Sequence, residues 1–247
     1  MLGSTVLARA GELVTDQVAS VLGSSDGVQI VVGSGAPDEE IVRIAETNEA
    51  SLIAVGAKPR EGARLVLGHV AERVVRYAPI SVLVARPGKP TGKILAATDF
   101  SEGSLPALRI AGEIARTTGA KATLIHVVKP TSTLLSSALM PLGDTWTPPS
   151  KAAVDQLDEL GRTTLASLAK QYGLSSSEQL EGDPADVILE RADSLDAEMI
   201  VMGSRGRKGL ARLVLGSVAE KVIRQSRTSV LVARDGSEGA PGAPPPH

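Results

Sequence analysis

Apolar residues follow two patterns along this chain, short continuous runs and longer stretches with helical spacing. Runs of four apolar residues such as 52–55 and 199–202 have the length and composition of buried β-strands. Elsewhere, as in 104–116, apolar residues recur every three or four positions, which is typical of an amphipathic helix. The alternation of the two patterns predicts an α/β fold with a parallel sheet. The predicted helices are 4–21, 38–47, 64–76, 104–116, 151–172, one beginning after Asp183, and 217–226; the predicted strands are 28–32, 52–55, 81–85, 93–98, 122–128, 177–180, 199–202 and 228–233.

The chain also contains an internal repeat. Residues 35–56 align without gaps with residues 182–203, and the six residues at 81–86 are identical to those at 229–234. Such agreement over both a βα segment and a terminal strand indicates duplication of one structural unit. We therefore predict two copies of the same fold within one chain.

The two copies are unequal. The first begins at the helix that corresponds to 151–172, so it has no counterparts of the strands predicted at 93–98 and 122–128. A Pro- and Gly-rich segment at 87–92 separates the copies, and such a change of composition marks a domain boundary. The predicted domains are an incomplete, degenerate copy at 1–87, a complete copy at 93–234 and a disordered Gly- and Pro-rich tail at 235–247.

Composition narrows the class of protein. The 247 residues are 43% hydrophobic and 22% charged, which is ordinary for a globular protein. A formal charge of −2 and only four aromatic residues argue against a nucleic-acid partner. The absence of cysteine excludes disulfides and thiolate metal sites, and three scattered histidines predict no metal centre. No apolar run approaches the ~20 residues of a membrane span and no signal peptide is evident, so we expect a cytoplasmic protein without a membrane partner.

One glycine-rich connection in the second copy has the features of a phosphate-binding loop. Gly203, Arg205 and Gly206 follow a predicted buried strand, and Gly216 and Ser217 precede a predicted helix. A strand-to-helix connection at the carboxyl end of a parallel strand offers backbone N–H groups and a positive helix N-terminus to an anion. A reading without a ligand is also open, because Ser217 and Glu220 form a capping box and the glycines could serve only the loop.

The spacing of these residues, G-x-x-G-x9-G-S, resembles the nucleotide-binding signature of the universal stress protein family in its ATP-binding branch. The segment Ala97–Thr98–Asp99–Phe100–Ser101–Glu102 is similar to the family's P-T-D-F-S-E, with Ala97 in place of proline. The resemblance implies a doubly wound open parallel sheet in a tandem repeat with an incomplete first copy. It also implies ATP, with Mg²⁺ accompanying the phosphates, and contacts from Ala97, Thr98, Asp99, Val127, Met202, Gly203, Arg205, Gly206, Gly216, Ser217 and Val218.

The first copy provides an internal control on this chemistry. At the positions of Gly203, Gly206, Gly216 and Ser217 it has Gly56, Pro59, Gly68 and His69, with one residue fewer between them. Proline removes a backbone donor and fixes φ, so the phosphate loop is broken. We therefore expect one nucleotide per chain, in the second copy.

Members of the resembling family act as stress-linked binding or signalling modules, and we expect that function here, without dedicated catalytic or metal-binding residues. Two alternatives from other classes are a slow ATPase or nucleotidyl-transfer enzyme and a dimerisation protein that binds no nucleotide. The chain contains no Walker A sequence, which disfavours the enzymes. The resemblance further implies antiparallel pairing of the last strands, within the chain as a pseudo-dimer or between chains as a homodimer.

Overall fold

The computed structural model describes residues 2–57, 67–129, 150–205 and 215–235, with side chains from Val6 onward. The predicted tail lies almost wholly outside these residues. Helices are α1 Leu2–Leu22, α2 Pro37–Thr47, α3 His69–Tyr77, α4 Leu105–Thr118, α5 Lys151–Gln171, α6 Pro184–Leu195 and α7 Ser217–Gln225, and a 3-10 turn covers Glu102–Ser104. Strands are β1 Leu52–Gly56, β2 Ser81–Ala85, β3 Lys93–Ala97, β4 Lys121–Val128, β5 Ser176–Glu181, β6 Met199–Gly203 and β7 Ser229–Ala233.

These strands form a single seven-stranded sheet in the order β1-β2-β7-β6-β3-β4-β5. Every neighbouring pair is parallel except β2 and β7, which pair antiparallel with Val82 opposite Val232 and Val84 opposite Val230. The expected pairing of the last strands is therefore present within one chain, and it joins the two copies into one continuous sheet.

Helices cover both faces of the sheet, which confirms the doubly wound α/β architecture. Alternate residues of each strand point to opposite faces, so Leu95 and Ala97 pack on one side of β3 while Ile94 and Ala96 pack on the other. Helices α2, α3, α6 and α7 contribute to the first core, and α4 and α5 contribute to the second. Both faces of β3 are buried because helices pack on each side of the sheet, and both of its edges are paired, with β6 and β4.

The junction between the copies has nearly two-fold symmetric contacts. The Arg86 guanidinium donates to the carbonyl oxygens of Ile223 and Thr228, and the equivalent Arg234 donates to those of Val75 and Ala78. Each arginine thus satisfies a carbonyl group in the last turn of a helix of the other copy, Ile223 of α7 or Val75 of α3, where the helix dipole favours a cation. The Thr228 carbonyl lies in the connection between α7 and β7.

Hydroxyls and ion pairs repeat the same symmetry. The Ser229 hydroxyl accepts from Arg86 N at 3.0 Å, and the Ser81 hydroxyl accepts from Arg234 N at 3.1 Å. Across the helices, Arg224 pairs with Glu72 at 2.5 Å, and in the reciprocal position Arg76 lies 3.6 Å from Glu220. The identical sequences at 81–86 and 229–234 are explained by these matching roles.

Two sequence predictions are wrong in the first copy. The strand predicted at residues 28–32 does not form, because the strand that it would pair with, the counterpart of β4, is not present in the sheet. The helix predicted from residue 64 begins at His69, after Gly68 as N-cap in extended conformation, and residues 64–66 lie outside the described part. The other predicted elements agree with the structure to within about two residues, the usual uncertainty at element ends.

Within the described residues, no helix is both long enough and apolar enough to cross a membrane.

We expect a shortened chain that begins at Lys93 to form a dimer through its own β7. Residues 229–234 are identical to residues 81–86, so a second β7 can make the antiparallel contacts that β2 makes in the full chain. An unpaired β7 would otherwise expose a row of backbone donors and acceptors. Light scattering gives the mass of the shortened chain directly.

The matched control is Val232→Pro in the same shortened chain. The Ala233 carbonyl accepts from Ser204 in the β6 direction, so the alternate residue Val232 directs its N–H towards β2. This variant should therefore stay monomeric. A stable monomer from the unsubstituted shortened chain would show that the first copy is not needed to cover this edge.

Candidate functional site

The carboxyl ends of β3, β4 and β6 meet at one edge of the sheet. Ala97 is in register with Met202 of β6 on one side and with Ile125 of β4 on the other. Val127 lies two residues further along β4 and is partly buried. Because these strands are parallel and adjacent, the segments that leave them converge where open α/β sheets bind ligands.

The segment after β3 is fixed by its own side chains. The Thr98 hydroxyl lies 2.8 Å from that of Ser104 and accepts from Phe100 N at 3.0 Å. The Asp99 carboxylate accepts from both N–H and O–H of Ser101 at 3.0 and 2.5 Å. Asp99 therefore has the turn-forming role that its residue type favours, and its partly buried carboxylate is held at the end of the strand.

Two residues that the sequence did not identify support this turn. Phe100 adopts a left-handed conformation, with φ of 63°, and its ring centroid lies 4.2 Å from that of His126. The Nδ1 atom of His126 lies 2.8 Å from the Thr98 carbonyl oxygen. The aromatic contact and this hydrogen bond link β4 to the turn after β3, which makes His126 a positioning residue.

Gly203, the last residue of β6, is required by packing. A Cβ atom at this position would collide with the backbone carbonyl of Gly103 and lie 3.0 Å from the Ser104 Cα. The 3-10 turn after β3 thus rests directly on the end of β6. This explains Gly203 without a ligand, and it also brings the β3 and β6 segments together.

The two described ends of the connection between β6 and α7 are hydrogen-bonded to each other. Ser204 is buried, and its carbonyl oxygen accepts from Gly216 N at 2.8 Å. Gly216 is the N-cap of α7, with φ −65° and ψ 147° and no side-chain cap bond. The alternative reading of Ser217 and Glu220 as a capping box is therefore wrong, because Ser217 is already inside the helix and Glu220 instead forms ion pairs with Arg224 and Arg76.

The start of α7 consequently has no side-chain cap among the described residues. The N–H groups of the first helical turn have no intrahelical acceptor, and a glycine N-cap supplies no side-chain oxygen to them. Ser217 is exposed and Val218 is partly buried at this point. An anion can approach such a helix N-terminus without displacing a cap.

Lys221, a basic residue near the start of α7, forms ion pairs with two carboxylates at the start of α6. Lys221 lies 2.8 Å from Asp186 and 3.1 Å from Asp183, which is the N-cap of α6. Its hydrogen bond to Asp183 lowers the pKa of that carboxyl, and the two carboxylates together raise the pKa of Lys221. These pairs join α6 to α7. In the connection between β6 and α7, Arg205 is described, and the basic residues at positions 207, 208 and 212 lie outside the described part.

The structure gathers the described candidate residues at this one edge. From the β3 end come Ala97, Thr98 and Asp99; from β4 comes Val127; from the β6 end come Met202, Gly203 and Arg205; from the α7 start come Gly216, Ser217 and Val218. Gly206 lies outside the described residues. Among the described residues, the first copy has no counterpart of β3 or β4 beside β1, so no equivalent set of described residues lies near Gly56.

The site contains acceptors and donors for a ligand, and no group of three or more metal-binding side chains was found among the described residues. Asp99 is a carboxylate within a set of backbone N–H groups, a hydroxyl and apolar side chains.

Comparisons with known proteins agree with the fold. The sequence profile of the Universal stress protein family matches residues 5–86 and 90–234. A universal stress protein of Methanocaldococcus jannaschii is 36% identical over 146 residues, or 58% of this chain and 81% of that protein. One from Mycobacterium bovis is 27% identical over 242 residues, or 94% of this chain and 77% of that protein. The crystal structure of a universal stress protein from Archaeoglobus fulgidus has a TM-score of 0.61 at 26% identity, covering 94% of this chain and 78% of that one.

The close approach at Gly203 generates a stability prediction. We expect Gly203→Ala to lower the free energy of unfolding by about 1–3 kcal/mol, as overpacking in a close-packed interior does. The repeat provides the control: a Cβ on the equivalent Gly56 meets no atom of the described residues within 4 Å. Gly56→Ala should change stability by less than about 1 kcal/mol. Urea denaturation without nucleotide measures both, and equal effects of the two substitutions would contradict the packing role.

Proposed function

The chain belongs to the universal stress protein family, and we propose that it is an ATP-binding stress-response module with one nucleotide site, in its second copy. The observation that carries the proposal is the convergence of the turn after β3, the end of β6 and the uncapped start of α7 at one sheet edge. This is the arrangement that a phosphorylated ligand needs.

The phosphates are proposed to lie against the start of α7. Backbone N–H groups and the positive end of the helix dipole favour negative charge there, and the Gly216 N-cap allows close approach. Arg205 lies at the end of the β6 segment and is proposed to add positive charge. Mg²⁺ would accompany the phosphates, held mainly by the nucleotide itself.

The nucleoside is proposed to lie over the ends of β3 and β4. Asp99 provides a fixed carboxylate for ribose hydroxyls, and the partly buried Val127 provides apolar surface for the base, while Met202 is buried in the core at the end of β6. The hydrogen bonds of Thr98 and His126 hold the turn that carries Asp99 in place. A preformed pocket of this kind lowers the ordering cost of binding.

We propose a binding module and not a dedicated enzyme. The chain contains no Walker A sequence, and a bound nucleotide would act by biasing conformation or association. The alternative, a slow ATPase or nucleotidyl-transfer enzyme, is distinguished by steady-state phosphate release. A kcat of about 1 to 1,000 s⁻¹, the ordinary range for enzymes, would favour that alternative.

We expect isothermal titration with ATP and Mg²⁺ to give one site per full chain. Gly216→Val should abolish the heat of binding, because its branched Cβ occupies the space in front of the helix N–H groups. The backbone conformation of Gly216 is ordinary for valine, so the effect should not arise from strain. Circular dichroism of the variant checks that α7 persists.

The matched control is Gly68→Val, at the equivalent N-cap in the first copy. Gly68 has nearly the same conformation, with φ −68° and ψ 153°, and a Cβ there meets no atom of the described residues within 4 Å. This variant should bind ATP like the unsubstituted chain. Two sites per chain, or binding that survives Gly216→Val and is lost in Gly68→Val, would overturn the assignment to the second copy.

A further inference from the structure

Four charged side chains meet between α3 of the first copy and α7 of the second. Both helices have the spacing Glu-x-x-x-Arg, with Glu72 and Arg76 on α3 and Glu220 and Arg224 on α7. The Arg76 Nη2 atom lies 3.6 Å from the Glu220 carboxylate and 3.7 Å from that of Glu72. The Arg224 Nη2 atom lies 3.2 Å from Glu220 and 2.5 Å from Glu72. We call these four residues the junction cluster.

Glu220 belongs to the first turn of α7, the helix whose start is part of the candidate site. Its N–H donates to the Gly216 carbonyl at 2.9 Å, which places Glu220 one turn after the N-cap. Side chains of a helix lean towards its N-terminus and cover the residues three or four positions earlier. A Glu220 carboxylate without an ion pair would therefore lie over Gly216 and Ser217, where the phosphates are proposed to bind.

A carboxylate in that position would compete with a phosphate. The N–H groups of the first helical turn and the helix dipole attract any anion, whether it belongs to a ligand or to the protein. A glutamate in the first turn can accept hydrogen bonds from backbone N–H groups, as in a capping box, and residues 217–220 have the S-x-x-E sequence of such a box. In the structure no described side chain caps α7. The one carboxylate of this turn is held in the junction cluster instead.

The first copy holds Glu220 there in two ways. Arg76 contacts the carboxylate directly from α3. Glu72 binds Arg224 and so fixes a second guanidinium one turn beyond Glu220, towards the C-terminal end of α7. An exposed ion pair within one helix is weak by itself, because two long side chains must be fixed, but a network of several charges shares that cost.

We propose that Arg76 is a positioning residue for the nucleotide site of the other copy. Together with Arg224 it keeps the Glu220 carboxylate away from the start of α7 and offsets its charge, so that the N–H groups there remain available to phosphates. This inference rests on the proposed function. It gives the first copy control over nucleotide affinity, because loss of the contact between Arg76 and Glu220 releases a competitor that the helix itself carries.

Isothermal titration of the full chain with ATP and Mg²⁺ at low salt tests the proposal. Arg76→Gln should weaken binding about three- to tenfold, the effect expected of one charge in the first turn of a helix. Glu220→Ala should bind at least as tightly as the unsubstituted chain. In the Glu220→Ala background, Arg76→Gln should have no further effect, because the competing carboxylate is absent.

Two further variants separate position from charge and folding. Arg76→Lys keeps the cation and should retain affinity to within about twofold. Arg43→Gln is the matched control, since Arg43 also belongs to the first copy but pairs with Glu40 of its own helix. It removes the same charge and should leave the affinity unchanged. Urea midpoints of all variants should stay close together, because exposed ion pairs contribute little to stability.

Amide exchange without nucleotide gives a second readout. In Arg76→Gln, residues 217–219 should exchange more slowly than in the unsubstituted chain, because the released carboxylate accepts from their N–H groups, and adding Glu220→Ala should abolish the difference. Unchanged ATP affinity in Arg76→Gln overturns this inference alone, as does an equal loss of affinity in the Glu220→Ala background. Absence of ATP binding by the unsubstituted chain overturns the proposed function and this inference with it.

Discussion

The antiparallel pairing of β2 with β7 is the interaction on which the rest of the structure depends. β7 would otherwise be an edge strand, and β6, which carries the start of the candidate site, lies directly beside it. Burial lowers the pKa of Arg86, so placing this cation at the junction has a desolvation cost. The carbonyl groups at the end of α7 offset that cost, and Arg234 has the reciprocal arrangement at the end of α3.

The two copies that this pairing joins have different roles: the first supports α7, and the second provides the strands of the candidate site. The first copy supplies β2, α3 and their contacts to α7, all of which support the helix whose N-terminus belongs to the site. The second copy supplies β3 and β4, without which Thr98, Asp99 and Val127 have no position next to Gly203. The first copy thus has a structural role that does not depend on the glycine signature, which its sequence breaks at Pro59.

The sequence predicted most elements because apolar periodicity and the repeat are local signals. It failed at 28–32, where five strand-forming residues lack a partner strand, since pairing depends on residues distant in the chain. The candidate residues were gathered as expected, but the reason for Gly203 was not visible, because Gly103 approaches it only in three dimensions. For the same reason the support from Ser104 and His126 could not be predicted, and the alternative reading of Ser217 as a helix cap is wrong because Gly216 occupies the N-cap position.

The central claim is that one nucleotide binds the second copy at the edge formed by β3, β6 and α7. Hydrogen exchange of the full chain with and without saturating ATP and Mg²⁺ tests it most directly, because each segment reports separately. The account predicts slower exchange at residues 97–101, 202–205 and 216–220, and unchanged exchange at the equivalent first-copy residues 55–57 and 68–72. Slower exchange confined to the first copy, or no change in either copy, would contradict it.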